Sequence, residues 1–346
     1  MWVGKMSINL MLMCALFSFT ITYLLVPKLK TFLEAAGLVG TDVHKKEKPK
    51  IAEMGGPVVL VGILAGIFLF IWVNTFLYGN NANIINLFAA ITTFLIAGLV
   101  GIFDDLGSLI KKHGKTGGID TFKRMGLKQW EKPLLTVGAA IPLMAVMIGV
   151  STITIPILGE INLGILYPLL IVPIAVVGAS NALNMLAGHN GLEAGTASVL
   201  MFFLGLFSYM NGRTEAALLA FVTLAALLAF VRFNWYPAKI FPGDSMTYAI
   251  GAMVATIAVI GNIEKFALLM FAPWFLEFLL KLRSRLKAQN FGILQPDGTL
   301  KAPYEKVYSI THIIMKLGRF KEWQVSTIII GLIALWSTIV FVIYVI

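Results

Sequence analysis

Asp104 and Asp105 stand side by side where an apolar run, residues 84–103, gives way to a lysine-rich stretch. If the run is a helix that ends there, both carboxylates face the negative pole of its macrodipole, at a cost of roughly 0.3–1 kcal/mol each. Charges set against that gradient at a membrane boundary suit the holding of a cation or a phosphate. A solvated helix end would carry the same pair, so the choice depends on what else reaches the same side.

Three further polar stretches bear on it. Residues 181–193 carry Asn181 and Asn184, three apart and therefore on one helix face. They either bond neighbouring helices or face a ligand. Gly188, Asn190 and Gly191 follow, permitting a tight turn and close backbone approach. His189 reads as a loop residue and Glu193 as a helix-start carboxylate. Residues 241–245 place Asp244 at the start of an apolar run, where it serves either as an N-cap or as one of the carboxylates Mg²⁺ takes alongside substrate phosphates. Phe241 beside it could offer a flat face to a base or simply pack at the interface. The third stretch, residues 40–57, contains Val43, Glu53 and the Gly55-Gly56-Pro57 turn. Lys132, at the start of another apolar run, either snorkels to the interface or adds positive charge to the group. Jointly these are the parts needed for metal-assisted transfer of a phosphorylated group at a membrane surface.

The elements that must position them are membrane spans. The chain has 346 residues, 58% apolar and 13% charged, against about 25% charged in soluble domains, and a mean hydropathy of +0.87. At roughly 20 apolar residues per crossing, we read an all-α polytopic protein with ten spans, at about 8–27, 55–77, 84–103, 133–150, 164–184, 194–211, 214–231, 243–260, 266–281 and 323–346. Small β-hairpins are expected at 151–163 outside, around Pro156, and at 290–301 inside, around Pro296-Asp297-Gly298. Pro273 should bend the ninth span, with a lipid groove beside it or simple helix packing near the intramembrane Glu277. Residues 1–346 form a single integral membrane domain. The first span lacks a small-residue cleavage site and reads as a retained anchor. One cysteine, Cys14, excludes internal disulfides.

Orientation follows from the basic residues. With both termini outside, the inner loops hold 24 of the 27 lysines and arginines, leaving Lys5, Arg213 and Lys265 outside. Thirteen of the 17 acidic residues fall on the inner side. A transporter, the competing class, places ionisable groups near the midplane and is disfavoured by their scarcity there and by the lack of repeats.

In order and spacing, Glu53-Met54-Gly55-Gly56, Asp104-Asp105, the 181–193 motif ending Ala187-Gly188-His189-Asn190-Gly191-Leu192-Glu193, and Phe241-Pro242-Gly243-Asp244 resemble the polyprenyl-phosphate N-acetylhexosamine-1-phosphate transferases along the whole chain. The Asn-Gly-Leu-Glu wording is similar to the archaeal and eukaryotic branch. The Asp-Gly loop and histidine run of the bacterial phospho-MurNAc-pentapeptide enzymes are absent.

The resemblance implies transfer of GlcNAc-1-phosphate from UDP-GlcNAc to dolichyl or another polyprenyl phosphate, with release of UMP, as the first membrane step of N-glycan assembly. A transferase for another UDP-amino sugar is the alternative. The implied cofactor is Mg²⁺, with Mn²⁺ as a substitute, held by Asn184 and Asp244. Asp104, Asp105 and Lys132 correspond to the catalytic group. Asn190, Phe241, Val43, Glu53 and Gly188 correspond to the nucleotide contacts. Asn181, Arg283, Arg285, Lys287 and Gln289 correspond to sugar and phosphate contacts, in place of an Arg-His-Arg element in eukaryotic members. Expected partners are membrane lipids and a second copy of the chain, with no nucleic acid. The expected location is the cell or endoplasmic-reticulum membrane, with the site on the cytosolic face.

Overall fold

The computed structural model describes residues 8–77, 79, 82–113, 127, 130–147, 149, 152–155 and 159–345. In chain order come α1 (Ile8–Ala35), β1 (Val39–Thr41), β2 (Lys50–Ala52), α2 (Gly56–Leu77), α3 (Ile84–His113), α4 (Glu131–Ala145), β3 (Thr152–Ile155) and β4 (Gly159–Asn162). A π-helical turn, Tyr167–Ile171, leads into α5 (Val172–Met185). Then follow α6 (Leu192–Met210), α7 (Thr214–Asn234), α8 (Gly243–Gly261), α9 (Glu264–Met270), α10 (Ala272–Leu282), β5 (Ile293–Leu294), β6 (Leu300–Lys301), α11 (Ile310–Leu317) and α12 (Glu322–Val345). The strands form three antiparallel hairpins, β1–β2, β3–β4 and β5–β6. Eight helices among the described residues are long and apolar enough to cross a bilayer. The protein is a multi-pass helical membrane protein, as expected for a chain whose backbone must satisfy itself in lipid.

α8 is the centre of the bundle. Every residue from Ser245 to Val259 is buried, and the helix packs against α3, α5, α7 and α2. Small residues permit this closeness. A Cβ on Gly101 of α3 would collide with the Asp244–Ser245 backbone, so α3 lies directly against the first turn of α8. The loop before that turn is tied to β2 by a parallel bridge, Ala52 to Ile240, and by the Phe241 N–H donating to the Ala52 carbonyl at 2.8 Å.

The spans differ from the expected ones in four places. α3 does not end at Phe103 but runs on to His113, so Asp104 and Asp105 lie inside a helix. Both carboxylates have partners there, which removes the penalty expected of a helix end. The fourth helix covers 131–145 rather than 133–150. The ninth is broken into α9 and α10 between Met270 and Ala272. The helix of the first span continues past 27, through Pro27, to Ala35. The β3–β4 and β5–β6 hairpins lie where turn residues placed them; Pro156 and most of the basic insertion 111–128 fall outside the described residues. The hairpin β1–β2 and the short helix α11, capped by Ser309 accepting the Thr311 N–H at 3.2 Å, were not anticipated.

Candidate active site

Asp105 spends both carboxylate oxygens on the start of α8. It accepts the Asp244 N–H at 2.8 Å and the Ser245 N–H at 3.0 Å. A carboxylate at a helix N-terminus satisfies orphan donors and meets the positive end of the dipole. Of the two roles the sequence left open for Asp244, the cap is supplied instead by Asp105 from a neighbouring helix. Gly243 makes room for it, since a Cβ there would strike the Asp105 carboxylate, and its φ of +72° suits glycine.

Asp244, freed from capping, turns towards Lys132. The Lys132 ammonium lies 3.1 Å from Asp244 Oδ2 and 2.5 Å from Asp104 Oδ2. Asp104 also accepts the Leu127 N–H at 3.0 Å. One ammonium thus serves two carboxylates.

Asn181 and Asn184 stand opposite, on α5. Asn184 Oδ1 accepts the Thr247 hydroxyl at 3.1 Å. Asn181 donates to the Val177 carbonyl at 2.8 Å. Lys132, Asn181, Asn184, Gly188, Asp244 and Gln289 line the polar end of a cavity of about 1530 Å³. Its remainder is largely apolar and runs beside α5, α8, α9 and α10 to Asn262 and Lys265 at their far end.

The other expected site residues lie apart from this cavity. Glu53 and the Phe241 ring flank Gly40, and Val43 is exposed on the loop between β1 and β2. Asn190 is buried, donating through Nδ2 to Asp42 at 3.1 Å and through its backbone to Glu322 at 2.9 Å. Arg283, Arg285 and Lys287 are exposed and do not line the cavity, whereas Lys281, which sequence reasoning passed over, does.

The Asn190 turn rests on a buried polar group that no local pattern announced. Glu322, at the start of α12, pairs with Lys45 at 2.5 Å and His44 Nδ1 at 3.2 Å, and Lys45 also reaches Asp42 at 3.2 Å. Asp42, His44 and Glu322 offer ligand atoms within 4.8 Å of one another. Internal pairs already occupy them, however. Lys45 sits on both carboxylates, and His44 Nε2 accepts the Gly292 N–H at 3.1 Å, which leaves Nδ1 as the protonated nitrogen facing Glu322. His189 lies beside this group, its ring 4.7 Å from that of His44. Both its ring nitrogens are buried without a partner. Burial, then the neighbouring His44, pushes its pKa down to about 3, so it is neutral at ordinary pH.

Residues 87–262 match the family model described as "Glycosyl transferase family 4". A protein of Saccharolobus solfataricus, provisionally named a UDP-N-acetylglucosamine–dolichyl-phosphate N-acetylglucosaminephosphotransferase, is 34% identical over 337 residues, covering 96% of this chain and 97% of its own length. A Dictyostelium discoideum protein of the same name, without the provision, is 26% identical over 315 residues, 79% of this chain and 71% of its own. A phospho-N-acetylmuramoyl-pentapeptide-transferase of Lacticaseibacillus paracasei is 26% identical over 292 residues, 83% of this chain and 82% of its own.

Proposed function

This chain belongs to glycosyl transferase family 4, and we propose that it transfers N-acetylglucosamine 1-phosphate from UDP-N-acetylglucosamine to dolichyl or another polyprenyl phosphate. The names of the Saccharolobus and Dictyostelium relatives support this sugar and acceptor. One structural observation carries the reading: Asp244, Lys132 and the carboxamides of Asn181 and Asn184 converge at one end of a long cavity whose middle is lined mostly by apolar side chains. Such a cavity suits a reaction between an anionic headgroup on a long tail and a water-soluble anion.

In the reaction an oxygen of the lipid phosphate bonds to the phosphorus bearing the sugar. The bond from that phosphorus to the UMP oxygen breaks, and UMP leaves. A phosphate monoester has a second pKa of about 6, so the nucleophile is already ionised at neutral pH and needs no strong general base. In this reading Lys132 donates to the phosphate oxygens and Asp104 fixes its ammonium. Asp105 is a positioning residue that holds the first turn of α8, and with it Asp244, against the cavity.

The donor set fits Mg²⁺. Asp244, its side chain 26% exposed, and Asn184 offer hard oxygen donors to the cavity. Asp244 and Asn184 would hold the ion, which when bound neutralises charge on the diphosphate.

In the finer topology there are ten crossings, with α4 and the α9–α10 pair added to the eight long helices. The basic loops support a cytosolic side for the Asp244 end of the cavity.

The test is release of UMP by purified protein supplied with polyprenyl phosphate and UDP-N-acetylglucosamine. Release should require both substrates, stop when EDTA removes divalent metal, and fall at least about a hundredfold in Asp244→Ala. Turnover unaffected by that substitution would sink the assignment. A preference for another UDP-sugar across a panel would instead favour the specificity of the bacterial relatives.

A further inference from the structure

From the cavity-facing cation of α10 we infer that Lys281 binds the phosphate of the acceptor lipid, as the anchor at the inner end of the tail groove. The inference rests on the transferase reading above and names a contact which that reading left unassigned.

Trp274, Phe278 and Lys281 are spaced i, i+4 and i+7, so they share one face of α10, and all three line the cavity. Going towards the polar end, that face changes from aromatic surface to an ammonium. This is the pattern an amphiphile with an apolar tail and an anionic head would match.

The state of the ammonium points the same way. A lysine at a membrane boundary usually extends its charge into water, yet Lys281 is only 8% exposed. Its one hydrogen bond is to the Ala288 carbonyl, at 2.8 Å, although an ammonium has three donors. No ion pair joins it to a described carboxylate. Glu277, one turn earlier, accepts instead from Ser309 Oγ at 3.1 Å and the Ile310 N–H at 2.7 Å. The Glu277 charge acts on Lys281 from one turn away without a direct bond, so two of the three ammonium donors remain for an anion in the cavity.

The place is also right. Asn290, close after Lys281 in the chain, donates to the Met185 and Ala187 carbonyls at 2.6 and 2.9 Å. This ties the end of α10 to the end of α5 that carries Asn184. An anion held by Lys281 therefore lies at the junction of groove and reaction centre. A lipid phosphate and a nucleotide diphosphate share the chemistry a lysine recognises; the aromatic run leading up to Lys281 favours the lipid.

Two measurements on the full-length purified protein test this. The first is binding of polyprenyl phosphate against the neutral polyprenol, read by native mass spectrometry. Wild type should prefer the phosphate, and Lys281→Gln should lose most of the preference while Lys281→Arg keeps it. The second is steady-state UMP release. Lys281→Gln should raise the KM for polyprenyl phosphate about tenfold, the loss of one charge-assisted hydrogen bond, with the KM for UDP-N-acetylglucosamine within about twofold of wild type. Lys281→Met keeps the apolar stem and serves if the glutamine variant does not fold. A rise in the nucleotide-sugar KM alone would reassign the lysine to the diphosphate. An unchanged phosphate preference, or a loss of thermal stability with both KM values unmoved, would overturn the proposal in favour of a structural bond to Ala288. Absence of UMP release by wild type would refute the transferase reading, while the binding comparison would still decide the role of Lys281.

Discussion

Asp104 and Asp105 are neighbours in sequence and do different work. Asp105 accepts two backbone amides of α8 and has no oxygen left over, whereas Asp104 holds Lys132 at the cavity. Their variants should therefore separate. Asp105→Ala strips the start of α8 of its acceptor and should lower stability by about 0.5–2 kcal/mol, as loss of a helix cap does, with activity lost because Asp244 shifts. Asp104→Asn should leave the unfolding temperature nearly unchanged and cut turnover by about 10²–10³-fold, the scale for losing one preorganised electrostatic contact. Its pH profile is diagnostic as well. Wild-type activity should rise through about pH 6 as the lipid phosphate ionises and then level off. Asp104→Asn should run parallel below it, because the nucleophile needs no base. Recovery of the variant at high pH would instead make Asp104 a proton acceptor. The pair itself was legible from residue type and place. Its division of labour was not, because it depends on amides 139 and 140 positions further along the chain.

At the scale of elements, the break between α9 and α10 shapes the groove. Pro273 has no N–H to donate to the Leu269 carbonyl one turn earlier. That carbonyl is taken instead by the Trp336 indole N–H from α12, at 2.8 Å, as a lipid-facing backbone requires. Proline was the readable half of this device; the tryptophan that completes it lies 67 positions away. Pro273→Ala restores the missing donor, so it should raise thermal stability by about 1 kcal/mol. The same change should straighten the pair and raise the KM for polyprenyl phosphate. Gain of stability with loss of lipid affinity is the combination to look for, and an unchanged KM would mean the break does not form the groove. Trp336→Phe should act in the other direction on stability, costing about 1–3 kcal/mol for an unsatisfied carbonyl. The short elements around the site escaped sequence reasoning for a related reason. The strands β1 and β2 have three residues each and α11 has eight, too few for periodicity to register, and they are held by long-range contacts such as Ala52 with Ile240.

For the whole molecule, the argument turns on which helix ends share a level. The start of α8 lies at the proposed reaction centre through Asp244, and its C-terminal residues reach the far end of the groove near Asn262. α12 begins back at the centre's side, where Glu322 bonds the Asn190 backbone. The chain between them must return across the bundle, and α9 with α10 is the segment available. The same holds between α3, which carries Asp104, and the Tyr167 turn, which lines the far end through its hydroxyl's bond to Glu264. There α4 makes the return, although its 15 residues reach only about 22 Å of a hydrocarbon core of about 30 Å. Hydropathy alone made these two segments candidates; placement of their ends supports the proposed count of ten crossings and an even topology. Basic-residue asymmetry then supports the proposed orientation. The single native cysteine, Cys14, is buried, so one introduced cysteine can report its own side. Lys265→Cys stands at the far mouth of the groove and Asp297→Cys on the exposed turn between β5 and β6. A membrane-impermeant maleimide applied to intact cells should label residue 265 and reach residue 297 only after permeabilisation. Labelling of both from outside would remove the return through α9 and α10, and labelling of 297 alone would invert the protein and put the reaction centre on the side away from cytosolic nucleotide sugars.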